Sequence, residues 1–169
     1  IADHVAHVIG GPNGPGTAFF VAQEGLLATT RYVVGGMQHL TIELHIGRQL
    51  QGTVVRAYTD LDLALIHIDH NSGSLLPITP LPRVPENTPL TIVTYSGDVI
   101  KSAERPTNRV MAAHWIPTTA AKLLDAGGNP VFDDRNYLVG MMTKNTSRTS
   151  GHMFALHVST IRRAVETFT

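Results

Sequence analysis

Leu40-Thr41-Ile42-Glu43-Leu44-His45-Ile46 alternates without a break, with four apolar residues pointing one way and three polar residues the other. A period of two marks a strand with one face buried. Outward from it, β-prone runs at 17–21, 26–30, 53–58, 63–68, 90–95, 109–114, 131–132, 137–143 and 153–158 are separated by Gly, Pro or polar turns. About ten to twelve short strands at this spacing predict an all-β sandwich or barrel. One helix is expected at the end. Ser159 would cap it, ahead of Ile161, Ala164, Val165 and Phe168 at i, i+3, i+4 and i+7. Residues 77–89 hold five of the ten prolines, so they cannot form a central strand and read as a connector between two β-rich halves.

Composition narrows the function. The chain has 169 residues, 43% hydrophobic and only 15% charged, which excludes a long disordered tail. Thirteen basic residues balance thirteen acidic ones, and no basic stripe stands out, so a nucleic-acid partner is not expected. With no cysteine, disulfides, thiolate nucleophiles and cysteine-ligated zinc are ruled out. No apolar run approaches the ~18 residues that would span a bilayer. The abrupt start at Ile1 reads as a mature or trimmed domain.

Gly16-Thr17-Ala18-Phe19-Phe20-Val21 and Gly25-Leu26-Leu27-Ala28-Thr29-Thr30-Arg31-Tyr32-Val33-Val34 resemble the first-barrel pattern of HtrA/Deg-type serine proteases. Thr59-Asp60-Leu61-Asp62-Leu63-Ala64-Leu65-Ile66 resembles the segment that carries the triad aspartate. Residues 116–132, ending in Asp125-Ala126-Gly127-Gly128-Asn129-Pro130-Val131-Phe132, are similar to the nucleophile segment. The resemblance implies a trypsin-like double six-stranded β-barrel with a short C-terminal helix. Its parts would be a first barrel at about 1–76, a linker at 77–89, a second barrel at about 90–158 and a helix at 159–168. It also implies an extracytoplasmic location, periplasmic or in the lumen of a membrane compartment, and homo-oligomers as in many relatives.

Acyl transfer by this family needs a hydroxyl nucleophile, an imidazole base and a carboxylate that orients it. Carried over by position, the carboxylate is Asp62, but the histidine position holds Tyr32. A phenol is protonated at neutral pH and is a poor base. A gap-free match puts Gly127 at the nucleophile position; one inserted residue puts Ala126 there instead. Neither has a hydroxyl. The glycine of the oxyanion loop is replaced by Asp125. The expectation is therefore a pseudoprotease that needs no cofactor, with Asp62 a hydrogen-bonded relic. Two decoys are set aside: Ala112-Ala113-His114 follows the aspartate, in a second-barrel strand, and Val8-Ile9-Gly10-Gly11 reads as a turn.

Nine histidines remain as a chemical signal. If 40–46 holds its register, His45 and Glu43 share a polar face, and His39 has the same parity; His67 and His70 flank Asp69; His152 and His157 bracket the last strand. No metal-ligand motif is formed, and His45, His67, His70 and His157 are the candidates for a divalent transition metal. The favoured function is a binding, scaffolding or regulatory module for a peptide or partner protein, such as an active HtrA-like protease. The alternative is a metal-binding pseudoprotease, as in the trypsin-like proteins of magnetosome biomineralisation. Residual hydrolysis through Thr118, Thr119 or Ser150 comes last.

Overall fold

A computed structural model of the chain describes residues 2–72, 75–81, 83–104, 115–147 and 150–168. The strand expected at 109–114 lies outside the described residues, as does His114. Six strands form a closed antiparallel barrel: β1 (Val5–Ile9), β2 (Gly16–Ala22), β3 (Leu26–Thr29), β4 (His39–Leu44), β5 (Gln49–Tyr58) and β6 (Leu63–His67), in the order β1-β2-β3-β6-β5-β4. Six more form a second antiparallel sheet: β7 (Pro89–Val93), β8 (Val99–Ala103), β9 (Trp115–Pro117), β10 (Pro130–Phe132), β11 (Leu138–Thr146) and β12 (Met153–His157), in the order β8-β7-β10-β11-β12-β9. A bridge between Glu104 and Thr118 ties its two edge strands together. The architecture is the trypsin-like double barrel. A one-turn helix α1 (Arg31–Val34) follows β3, and α2 (Val158–Phe168) closes the chain. No helix among the described residues is long and apolar enough to cross a membrane.

Each strand's burial follows from its place in this pair of sheets. On β4, Leu40, Ile42 and Leu44 are buried and the intervening residues are not, because only the inner face meets the core. On β3, all four residues are buried. There Leu27 joins the first barrel's interior, whereas Leu26 and Ala28 pack outward with Phe132, Met141 and Leu156 of the second sheet. Burying one such side chain stabilises by about 1.5–3 kcal/mol, so this shared layer is a principal bond between the halves. Leu90, Ile92, Val131 and Met142 fill the second sheet's own interior.

Three expectations need correction. The alternation of 40–46 stops at Leu44: His45, Ile46 and Gly47 turn the chain into β5, with Gly47 at φ 88° and Ile46 67% exposed. Val8 and Ile9 belong to β1, with the bend starting at Gly10. Ser159 lies inside α2 rather than capping it. The helix begins one residue earlier, and His157 takes the cap position, where its Nδ1 accepts the Ser159 backbone N–H at 3.0 Å.

Candidate functional site

Thr30 builds the first part of the site. Its hydroxyl accepts the Val33 N–H at 3.1 Å and starts α1, which ends at Gly35. One turn is just long enough to set Tyr32 on the surface, 41% exposed. Asp62 comes from the turn before β6, in the left-handed region at φ 52°, which aspartate tolerates better than most residues. Its Oδ1 accepts the Tyr32 backbone N–H at 3.0 Å, and its own carbonyl accepts the Arg31 N–H at 3.3 Å. Burial pushes the Asp62 carboxyl above the usual carboxylate range, against the pull of the Tyr32 and Arg31 amides and the Arg31 charge. Asp62 and Tyr32 are thus joined through backbone.

The second part is the loop at 125–129, and it is bonded to itself and its neighbours. The Ala126 N–H donates to the Pro15 carbonyl at 2.9 Å, the Gly127 N–H to Asp125 Oδ1 at 2.9 Å, and the Gly128 N–H to the Met142 carbonyl at 3.0 Å. Asp125 also accepts from Thr17 Oγ1 at 2.7 Å and from Asn129 Nδ2 at 3.1 and 3.2 Å. Thr17 Oγ1 in turn accepts the Tyr95 N–H at 3.0 Å, so the network crosses from the first barrel to the β7–β8 turn. Gly128 allows this closure: at φ 82°, a Cβ there would lie 2.1 Å from the Thr17 carbonyl oxygen.

Ala126 and Gly127 are both buried but face different surroundings. Ala126 packs into the first barrel's interior. A Cβ on Gly127 would lie 3.8 Å from Thr30 Oγ1, while Ala126 belongs to the cluster of Val33 and Val34, so both border the turn that carries Tyr32. Three consecutive N–H groups on this loop already have acceptors. An oxyanion hole instead needs such donors free and aimed at one developing charge.

The histidine candidates are dispersed. His45 sits in the exposed β4–β5 turn, and the residue facing Glu43 is His7, with Nδ1 3.8 Å from Glu43 Oε1. Register decides this: β1 pairs with β4 so that His7 lies opposite Glu43, a contact no local motif announces. The His7 ring also stacks on Tyr95, with centroids 3.8 Å apart. His70 tilts against Phe20, at 6.0 Å between centroids. His67 ends β6, exposed. His157 is buried as the α2 cap, and burial lowers its pKa against the opposing Leu81 carbonyl. Among the described residues, no three His, Asp or Glu side chains come together as a metal-ligand group. Thr118 donates to the Met153 carbonyl and Thr119 bonds Ser102 and the Ala103 amide, ties that hold the edge of the second sheet. The Ser150 hydroxyl accepts the His152 backbone N–H at 3.3 Å.

Comparison with known proteins places this geometry. The sequence pattern of the trypsin-like peptidase domain matches residues 16–141. HhoA of Synechocystis, named as a serine protease, is 28% identical over 163 residues, covering 86% of this chain and 40% of that protein. A protein of Halomonas elongata named as a DegP-like periplasmic serine endoprotease is 21% identical over 146 residues, 82% of this chain and 31% of its own length. The chain therefore spans less than half the length of these curated relatives. The crystal structure of a serine endoprotease from Yersinia pestis superposes with a TM-score of 0.78 at 19% identity, covering 98% of this chain and 62% of that one.

Proposed function

Because the chain belongs to the trypsin-like peptidase domain family and is an HtrA/Deg-like member of it, we propose that it is a non-catalytic member, a pseudoprotease that binds a peptide or a partner protein. The observation that carries this reading is the closed loop at 125–129. By family position the nucleophile site falls on Gly127 or Ala126, neither of which has a hydroxyl, and the Gly127 N–H is held by Asp125. By family position Tyr32 replaces the imidazole, and it meets Asp62 through its backbone N–H, so the carboxylate has no imidazole there to orient. Loss of triad members costs orders of magnitude in turnover. The Halomonas relative is named as periplasmic, which supports an extracytoplasmic compartment, where an active HtrA-like protease would be a fitting partner.

Two measurements test it. Incubation with unfolded casein is expected to yield no product above blank, both for the natural chain and for Tyr32→His combined with Gly127→Ser, because the Gly127 N–H stays engaged. Turnover that a covalent serine-protease inhibitor abolishes would overturn the reading. A fluorescent extended peptide is expected to bind saturably without being cleaved.

A further inference from the structure

The register of the first barrel makes an arrangement that no local stretch of sequence contains. His39 on β4 lies opposite Thr53 on β5, and Thr53 lies opposite His67 on β6. Directly opposed residues of antiparallel strands share a face. The three side chains therefore form one row on the barrel's outer face, and all three residues are exposed. With neighbouring strands about 4.8 Å apart, the two histidine backbones stand about 10 Å apart across β5. The His39 ring approaches the intervening strand, its Nδ1 3.5 Å from Thr53 Oγ1. Glu43, further along β4, faces His7 and Gln49 Nε2, the latter at 3.0 Å, rather than this row.

We propose that His39 and His67 form a two-imidazole site for a borderline divalent transition ion, Cu²⁺, Ni²⁺ or Zn²⁺, with water completing the coordination. Imidazole nitrogen suits these ions, while a site without a carboxylate disfavours Mg²⁺, Ca²⁺ and Mn²⁺. Metal–nitrogen bonds of about 2.1 Å let one ion sit above Thr53 when both rings turn toward it. With Thr53 beside Nδ1 of His39, Nε2 is the nitrogen left for the metal, and Thr53 is the outer partner that orients the ring. A shallow depression of about 390 Å³ lined by His39, Thr41, Gln49, Leu50 and Gln51 adjoins the site and accommodates the ion's waters. Two protein ligands hold an ion less tightly than a closed four-ligand centre, and binding should follow the order Cu²⁺ above Ni²⁺ and Zn²⁺, with Mn²⁺ last.

Titration calorimetry of the intact chain with Ni²⁺, Zn²⁺ and Mn²⁺ tests this. The expected result is one saturable Ni²⁺ and Zn²⁺ site, reversed by a chelator and tighter than any response to Mn²⁺. Either His39→Ala or His67→Ala should weaken it at least tenfold, while His45→Ala, in the turn beyond β4, leaves it unchanged. Both target residues are exposed, and unchanged melting of the metal-free variants verifies that folding is intact. No saturable binding, or binding that either His39→Ala or His67→Ala leaves unaltered, would overturn the proposal.

Discussion

Asp62 and Asp125 are both carboxylates that accept backbone N–H groups, and they are used in opposite ways. Asp62 takes an amide from another element, 30 residues back in the chain, and keeps α1 beside the turn before β6. Asp125 gathers donors from its own loop, from Thr17 and from Asn129. The first arrangement preserves a protease-like corner whether or not a catalytic base stands there, because the contact is made by main chain. The second turns the stretch where a protease presents its donors into a closed structural knot. On the proposed reading as a pseudoprotease, one half of the site is kept as scaffold while the other half serves as packing.

The largest test of this contrast is Gly128→Ala. A Cβ at φ 82°, against the Thr17 carbonyl and the Thr29 hydroxyl, forces the loop off the first barrel. The expected loss is about 3 kcal/mol or more, read as a melting-temperature drop of roughly 6–12 °C. A drop under about 2 °C would mean the loop is free to move away without cost.

Asp125→Ala comes next. It leaves the Gly127 N–H and the Thr17 hydroxyl without their acceptor, while the Asn129 amide keeps Thr17 Oγ1, a loss of about 2–4 kcal/mol in thermal or denaturant unfolding. Asp125→Asn should lose less, because one oxygen can still accept. Equal and negligible effects for the two would show that the network contributes no stability.

The smallest effect sits at the Asp62 corner and is a pH dependence. A carboxyl whose folded pKa is raised binds more protons folded than unfolded, so stability falls as pH rises from about 3.8 through the folded pKa. Asp62→Asn keeps an oxygen for the Tyr32 N–H and removes the titration. The stability of the natural chain should therefore decline relative to Asp62→Asn across that window and run parallel to it above. A constant difference from pH 3.5 upward would contradict burial as the dominant influence on this group.

What was legible in the sequence depended on how many faces of a strand meet core. β4 meets it on one face, so its alternation shows as a period of two up to Leu44. β3 is buried on both faces, and its Leu-Leu-Ala-Thr run could have been strand or helix from pattern alone. The short strands β8 and β9 and the single turn of α1 were too brief to leave a period. The Pro-rich connector was readable because a missing N–H bars proline from a central ladder. At the site, residue identity sufficed to see that Tyr32 cannot supply an imidazole and that neither Gly127 nor Ala126 can supply a hydroxyl. Spacing did not show the Gly127 N–H held by Asp125, because Asx geometry belongs to a loop's conformation rather than to its composition.

By itself, the sequence determined an all-β sandwich or barrel, since hydrophobic period and turn residues are short-range properties written in consecutive residues; the double barrel was implied only by the resemblance of its motifs to HtrA/Deg proteases. Tertiary structure alone decided which residues face each other across strands: His7 with Glu43, Thr17 with Asp125, and the row His39, Thr53 and His67. Register and barrel closure create those pairs. Both are set by the summed packing of the whole core, so no window of sequence contains them.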